Sequence, residues 1–198
     1  MNVPNKLTVL RLILVPVFFL AYQLRYLGFA AAGVISTIIM VLCYATAELS
    51  DLLDGKIARK YNLVTDLGKV LDPFADTLSH LTFFVCFFGY GIMPAWSFII
   101  IMWREFGILF LRMLMMKTGK AMPANIFGKS KTVFYAITTF LAILFITLES
   151  FVAPGAWADI SRTVLYVFFA LSAVASLLSF VTYLKDIFQS KALSGMTR

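Results

Sequence analysis

Four aspartates, Asp51, Asp54, Asp72 and Asp76, fall within the thirty residues from Asp51 to His80, in a chain that is otherwise mostly apolar. Asp51 and Asp54 are three residues apart, and Asp72 and Asp76 are four apart, so on helices each pair shares a face. Two such faces brought together concentrate four carboxylates, and at a membrane surface their repulsion and desolvation require a compensating cation. An all-oxygen donor set selects a hard ion: Mg2+, Mn2+ or Ca2+. Four carboxylates can hold two such ions about 4 Å apart, the arrangement that serves phosphoryl transfer. Gly55 and Gly68 lie in the same run, where a missing side chain lets a bound group or another backbone come close, and Arg59 suits a pyrophosphate. The plain structural alternative is an interfacial salt-bridge network with Lys56, Arg59, Lys60 and Lys69. It leaves unexplained why all four acids fall on two facing helix surfaces.

A second polar set interrupts the apolar sequence further on. It comprises Arg104 and Glu105 within Trp103–Phe106, Arg112, and the run Gly128-Lys129-Ser130-Lys131-Thr132. With Thr8 and Arg11 near the N-terminus, the residues Arg104, Arg112, Lys129 and Lys131 can build a cationic pocket beside the aspartates, suited to a phosphate group. Arg104 and Glu105 can also be read as a structural pair, and Lys117 and Lys120 as anchors that reach lipid headgroups. His80, one turn past Asp76, is placed either to orient that carboxylate or to sit as a satisfied core residue.

These groups must be positioned by membrane helices. The 198 residues are 61% hydrophobic and 14% charged, with a mean hydropathy of +0.91, whereas soluble domains carry about a quarter charged residues. Six segments, roughly 7–23, 28–50, 68–90, 95–116, 131–149 and 162–186, are long and apolar enough to span a bilayer. The expected fold is an all-α bundle of six transmembrane helices forming one domain over 1–198, with spans 2 and 3 side by side. Lys and Arg set its orientation. Lys6, Lys56, Lys69, Lys117, Lys120, Lys131, Lys185, Lys191 and Arg198 fall on one side with other bases, and only Arg25 and Arg162 on the other. Both termini are therefore expected in the cytoplasm, with the aspartates at the cytoplasmic boundary. Arg11 interrupts the first apolar run, which reads as a retained span rather than a signal peptide. The net charge of +7 reflects basic loops facing anionic lipid, not nucleic acid. Cys43 and Cys86 lie in apolar stretches and read as buried thiols, and a single His excludes a His-rich metal site.

The spacing D-x2-D-G-x2-A-R-x8-G-x3-D-x3-D is filled by Asp51, Asp54, Gly55, Ala58, Arg59, Gly68, Asp72 and Asp76. It resembles the signature of the CDP-alcohol phosphotransferases, membrane enzymes of phospholipid synthesis. The resemblance implies that Asp51, Asp54 and Asp72 are metal ligands. It implies that Asp76 is a shared ligand or the general base that deprotonates the acceptor hydroxyl. It also places the cytidine nucleotide along Gly55, Ala58, Arg59 and Gly68, has CMP as the leaving group, and implies a homodimer. The stretches NKLTVLR, LDPFAD, REF with Arg112 beyond it, and GKSKT look like bacterial phosphatidylglycerophosphate synthases from about residue 2 to about 135. That likeness implies CDP-diacylglycerol and glycerol 3-phosphate as substrates, with Mg2+ or Mn2+, at the bacterial cytoplasmic membrane. Thr77 stands where those synthases commonly have Lys. A small hydroxyl there is similar to aminoalcohol phosphotransferases, which join CDP-choline or CDP-ethanolamine to diacylglycerol, and this is the enzymatic alternative. A divalent-cation transporter is the non-enzymatic one, and it would place its acids near the bilayer midplane.

Overall fold

In the computed structural model the chain is all-α. Residues 2–117 and 126–189 are described, apart from the side chains of residues 117, 126–129, 186 and 189. Lys120, Lys191 and Arg198 lie outside the described residues, as do the side chains of Lys117 and Lys129. The described helices are α1 (Val3–Leu24), α2 (Ala32–Lys60), α3 (Asp66–Gly89), α4 (Ala95–Lys117), α5 (Ile126–Phe151) and α6 (Ala156–Gln189). Neighbours around the bundle run α1, α3, α4, α6, α5, α2 and back to α1, and α3 also approaches α5 across the middle.

This order departs from the expected side-by-side packing of the two aspartate helices. No Cα of α2 comes within 8 Å of a Cα of α3; α1 lies against both and separates them. The helix α2 continues ten residues past Ser50, where the expected apolar span ends, and so carries Asp51 and Asp54 on helix as their spacing predicts. Apolarity stops there, but helix formers such as Leu52, Leu53, Ile57 and Ala58 continue. The single Gly55 costs only about 1 kcal/mol relative to Ala, too little to break the helix. The extension, about 15 Å at the usual rise, carries Asp51, Asp54, Gly55, Ala58 and Arg59 on one rigid rod. It ends where Asn62 adopts a left-handed conformation (φ 53°) and the Leu63 N–H bonds back to the Ala58 carbonyl at 3.0 Å. Thr65 then caps α3, its Oγ1 accepting from the Gly68 N–H at 3.0 Å, so Gly68 lies inside the first turn. The Asn2 side chain likewise caps α1, accepting from the Asn5 N–H at 3.1 Å.

Four stretches are long and apolar enough by themselves to cross a membrane: Val3–Leu24, Ala32–Lys60, Ser130–Phe151 and Ala156–Lys185. They mark an integral membrane protein. The apolar character of α3 and α4 is diluted by Asp66, Lys69, Asp72 and Asp76 on one and by Arg104, Glu105 and Arg112 on the other. Large apolar side chains point outward on several helices, including Leu20, Trp103 and Val181, as lipid contact requires. The interior is aromatic and hydroxylic. Phe84 of α3 lies 5.1 Å from the Tyr135 ring of α5 and 5.8 Å from Phe169 of α6, centroid to centroid. Phe83 meets Phe18 of α1 at 4.5 Å. Buried hydroxyls join helices in pairs, Thr37 with Ser150 at 2.8 Å and Thr138 with Ser172 at 2.9 Å, which is how polar groups assist packing where lipid supplies no hydrophobic contrast. At the end of the bundle away from the aspartates, Arg25 donates to Tyr90 at 3.0 Å, Tyr90 donates to Glu149, and Arg162 donates to Glu149 at 3.0 Å. This ties α1, α3, α5 and α6 together. Cys43 and Cys86 are both buried and free.

Candidate active site

Asp51 and Asp54 from the extension of α2 and Asp72 from the second turn of α3 converge on one point. One carboxylate oxygen from each lies within 4.8 Å of the others. At an effective dielectric of about 20, two unit charges at that separation repel by about 3 kcal/mol, so three pairs do not assemble uncompensated. The compensation visible in the fold comes from α1. Arg11, only 3% exposed, donates from Nη1 to Asp51 Oδ1 and from Nη2 to both Asp72 Oδ1 and, at 2.8 Å, Asp54 Oδ2. Thr8, one turn earlier, donates to Asp54 Oδ2 at 3.2 Å. One guanidinium against three carboxylates leaves a net charge near −2. The Asp51 and Asp72 side chains remain 48% and 52% exposed. An oxygen-only, doubly negative, half-open cluster fits a hard divalent cation. Asp51, Asp54 and Asp72 are the residues that would hold it.

Asp76 lies apart from this triad, one helical turn further along α3. His80 Nδ1 is 2.8 Å from its main-chain oxygen and 3.2 Å from its Oδ1. Asp76 lines two small cavities. It shares one with Arg11, Glu48, Asp51, Ser79 and His80, and the other, about 50 Å³, with Thr77, Arg104, Glu105, Arg112 and Lys131. It therefore stands between the acidic cluster and the cationic set.

Next to the triad, on the other side, is a cavity of about 240 Å³. It is lined by Asp54, Gly55, Ala58, Arg59, Gly68 and Asp72, together with Asn5 and Thr8 of α1. All four residues expected to receive the nucleotide come together here. The wall between α1 and α3 is tight. A Cβ on Gly68 would lie 2.9 Å from Asn5 Oδ1 and 3.2 Å from Thr65 Oγ1, while the Asn5 Nδ2 donates to Thr65 Oγ1 at 3.1 Å. Gly68→Ala gains at most about 1 kcal/mol of helix propensity but overpacks this contact, a cost of about 1–3 kcal/mol. The variant is expected to melt several degrees lower and to bind the nucleotide more weakly. An unchanged melting temperature together with unchanged nucleotide affinity would show that the contact does not matter. Gly55 is different, because a Cβ there meets only the Arg59 guanidinium at 3.6 Å, an ordinary contact.

The six residues expected to form one phosphate pocket divide between two places. Thr8 and Arg11 belong to the aspartate triad, whereas Arg104, Arg112 and Lys131 line the small cavity at Asp76. For Lys129 the side chain lies outside the described residues. Glu105, 3% exposed, gathers the cations. Its Oε1 lies 2.9 Å from Lys131 Nζ and 3.0 Å from Arg104 Nη1, and accepts from Tyr135 at 3.0 Å. Arg104 also donates to Ser179 at 2.7 Å, and the Tyr135 hydroxyl, whose one proton goes to Glu105, lies 3.0 Å from Ser176 Oγ, which is placed to donate to it. Sequence reasoning missed Tyr135, Glu48, and the serines of α6. Ser172, Ser176 and Ser179 recur at helical spacing and are all fully buried. That periodicity in an apolar helix was the signal available for them. It also passed over Asn2 and Asn5, which tie α1 to the α2–α3 turn through Leu63 (2.7 Å) and Thr65.

The chain is similar in sequence to known proteins. The chain is 36% identical over 205 aligned residues to a CDP-diacylglycerol–glycerol-3-phosphate 3-phosphatidyltransferase of Treponema pallidum, covering 100% of this chain and 95% of that protein. A protein of the same name from Bacillus subtilis is 35% identical over 136 residues, which is 66% of this chain and 70% of the relative. A probable phosphatidylglycerophosphate synthase of Mycobacterium tuberculosis is 37% identical over 143 residues, covering 72% and 66%. The family model for CDP-alcohol phosphatidyltransferases matches residues 1–181, which takes in the triad, Asp76, both flanking cavities and most of α6, so the chain is a membrane transferase that belongs to the CDP-alcohol phosphatidyltransferase family.

Proposed function

We propose that the protein transfers the phosphatidyl group of CDP-diacylglycerol to sn-glycerol 3-phosphate, releasing CMP. The observation that carries this reading is the order of three features along one end of the bundle: the 240 Å³ cavity with Arg59, the aspartate triad, and the cationic cavity at Asp76. The cytidine diphosphate part of the donor is assigned to the first cavity, along Gly55, Ala58, Arg59 and Gly68. Asp51, Asp54 and Asp72, with Asp76 as a further or shared ligand, would hold two divalent ions, Mg2+ or Mn2+, which would supply charge neutralisation at the pyrophosphate. Asp76 takes the proton of the acceptor hydroxyl. The acceptor oxygen forms the new bond to phosphorus as the bond to CMP breaks.

The acceptor choice rests on charge. Arg104, Arg112 and Lys131 against the single Glu105 leave two positive charges beside Asp76, which matches the dianion of a phosphate monoester. A neutral diacylglycerol acceptor gives these cations no task. Changing Arg112 or Lys131 to Ala is expected to raise the apparent KM for glycerol 3-phosphate at least about tenfold, leaving donor affinity nearly unchanged. The deciding assay offers purified protein each donor with each acceptor and identifies the labelled product. Product from CDP-choline and diacylglycerol, with none from glycerol 3-phosphate, would assign the chain to the aminoalcohol enzymes instead and give Thr77 its meaning.

The same reading has α3 and α4 crossing the bilayer as well, six spans in all, with both termini and the site on the cytoplasmic side of a bacterial membrane. At 24 and 23 residues each reaches about 35 Å, enough for a core of about 30 Å. Arg104 and Glu105 are buried against other helices, while Trp103 and Phe106 on either side of them face outward, so α4 presents an apolar face to lipid. A homodimer is part of the proposal through family likeness, and cross-linking in native membranes tests it.

A further inference from the structure

We infer that Arg11 is a positioning residue for the metal-binding carboxylates, and that its guanidinium fork sets the affinity of the site for a divalent cation. The inference rests on the metal reading proposed above.

Its starting point is the packing. Asp72 lies on α3, Asp51 and Asp54 lie on α2, and no Cα of one helix comes within 8 Å of a Cα of the other. Nothing in the α2–α3 pair itself fixes Asp72 against the other two. The helix between them packs against both, and one of its side chains reaches all three carboxylates. Arg11 reaches Asp51 with Nη1 and reaches Asp54 and Asp72 with Nη2. Each carboxylate gives a single oxygen to Arg11: Oδ1 of Asp51, Oδ2 of Asp54 and Oδ1 of Asp72. The second oxygen of each is left out of these bonds. Arg11 is 3% exposed, while the Asp51 and Asp72 side chains are about half exposed, so the fork grips from the buried side and leaves the triad open to the cavity. Arg11 Nε is buried with no hydrogen-bond partner among the described residues, so the bonds found for the head group there are those of its two terminal nitrogens. Thr8 adds a second bond to Asp54 from the same face of α1.

Two physical effects of Arg11 on a bound cation have opposite signs. Its positive charge a few ångströms away repels the ion, so removing it should tighten binding. Its fork pre-orients three ligands on two helices, so removing it should loosen binding. Hydrogen-bond partners that orient metal ligands are typically worth 10- to 100-fold in affinity. Lysine keeps the charge but is a compact point donor that cannot bridge three carboxylates in a planar fork. Arg11→Lys and Arg11→Met therefore separate the two effects.

The test is titration of the full-length protein in detergent with Mn2+, free ion being counted by electron paramagnetic resonance. Circular dichroism and size-exclusion profiles check the fold. Both R11K and R11M are expected to weaken Mn2+ binding about 10- to 100-fold, and raising Mn2+ should restore a large part of the transfer rate in R11K. Binding as tight as in the parent, or tighter, in a folded R11M would overturn the inference. Should R11M fail to fold, R11K decides alone, parent-like affinity there being the refuting result. If the parent protein binds no Mn2+ and D51N behaves identically, the metal reading itself is what fails.

Discussion

Asp51→Asn and Asp72→Asn are each expected to reduce transfer at least about 1000-fold, equivalent to about 4 kcal/mol of barrier, while the protein stays folded in the membrane. Asn keeps the size and one carbonyl oxygen but loses the charge. The triad minus one carboxylate, with Arg11 still in place, carries a net charge near −1 instead of −2. A divalent cation then loses both attraction and one well-placed ligand, and charge developing on the pyrophosphate loses its stabilisation. Arg11 also loses an ion-pair partner, but Asp51 and Asp72 are half exposed, so water can replace part of it and the cost to folding is small beside the cost to turnover. The same loss should appear in the parent protein on adding EDTA and be reversed by Mg2+ or Mn2+. Full activity in EDTA would refute the assignment of the triad as a metal site.

The parts of this site that were legible in the sequence are those encoded by local spacing. Asp51 and Asp54 share a face because α2 is one continuous helix. Gly55, Ala58 and Arg59 are carried on that same rod, and Gly68 and Asp72 on the opening turns of α3. Those positions line one cavity because a short turn, stopped by Asn62 and capped by Thr65, returns the chain towards them. The order of helices around the bundle is not encoded locally. Hydropathy assigns α1 an apolar run with an awkward Arg11, and nothing in its periodicity says that α1 separates α2 from α3. Arg11 therefore read as a free cation for a phosphate, although its three partners lie forty to sixty-one residues away. The apolar span and the helix of α2 end at different residues for a related reason. Apolarity reports where lipid contact stops, and helix propensity carries the backbone on to Lys60.

The cationic set shows the same limit from another angle. Arg104 and Glu105 are adjacent in sequence, and both the paired and the functional readings were available from that fact. The fold makes them compatible. Glu105 holds Arg104, Lys131 and Tyr135 on one oxygen, which keeps two buried cations at the edge of the Asp76 cavity without leaving them uncompensated in a low-dielectric interior. Ser179 accepts from the Arg104 Nη2 of that network, and Ser176 lies 3.0 Å from the Tyr135 oxygen. A pocket of this kind is preorganised, and the arriving phosphate replaces part of what Glu105 supplies.

Asp76→Asn is expected to lower kcat about 100- to 10,000-fold while donor binding survives. The expectation follows from where Asp76 lies. It is not among the three carboxylates held by Arg11, and it borders the cavity that contains Arg112 and Lys131. An acceptor anchored there by its phosphate brings its hydroxyl towards Asp76 rather than towards Asp51 or Asp54. His80 Nδ1, close to both the main-chain oxygen and Oδ1 of Asp76, fixes the rotamer, so the carboxylate meets the hydroxyl without a conformational search. Asn can occupy that rotamer but cannot accept the proton, so the hydroxyl must attack undeprotonated or lose its proton to water. The cavity proposed for the nucleotide is bounded by Asp54 and Asp72, not Asp76, so equilibrium binding of a CDP-alcohol, measured calorimetrically with metal present, should change less than about threefold, roughly 0.7 kcal/mol. If Asp76→Asn loses donor binding and metal affinity together, Asp76 acts first as a metal ligand, and the group that takes the proton must be sought among the other groups lining its two cavities, with Glu48 the first candidate.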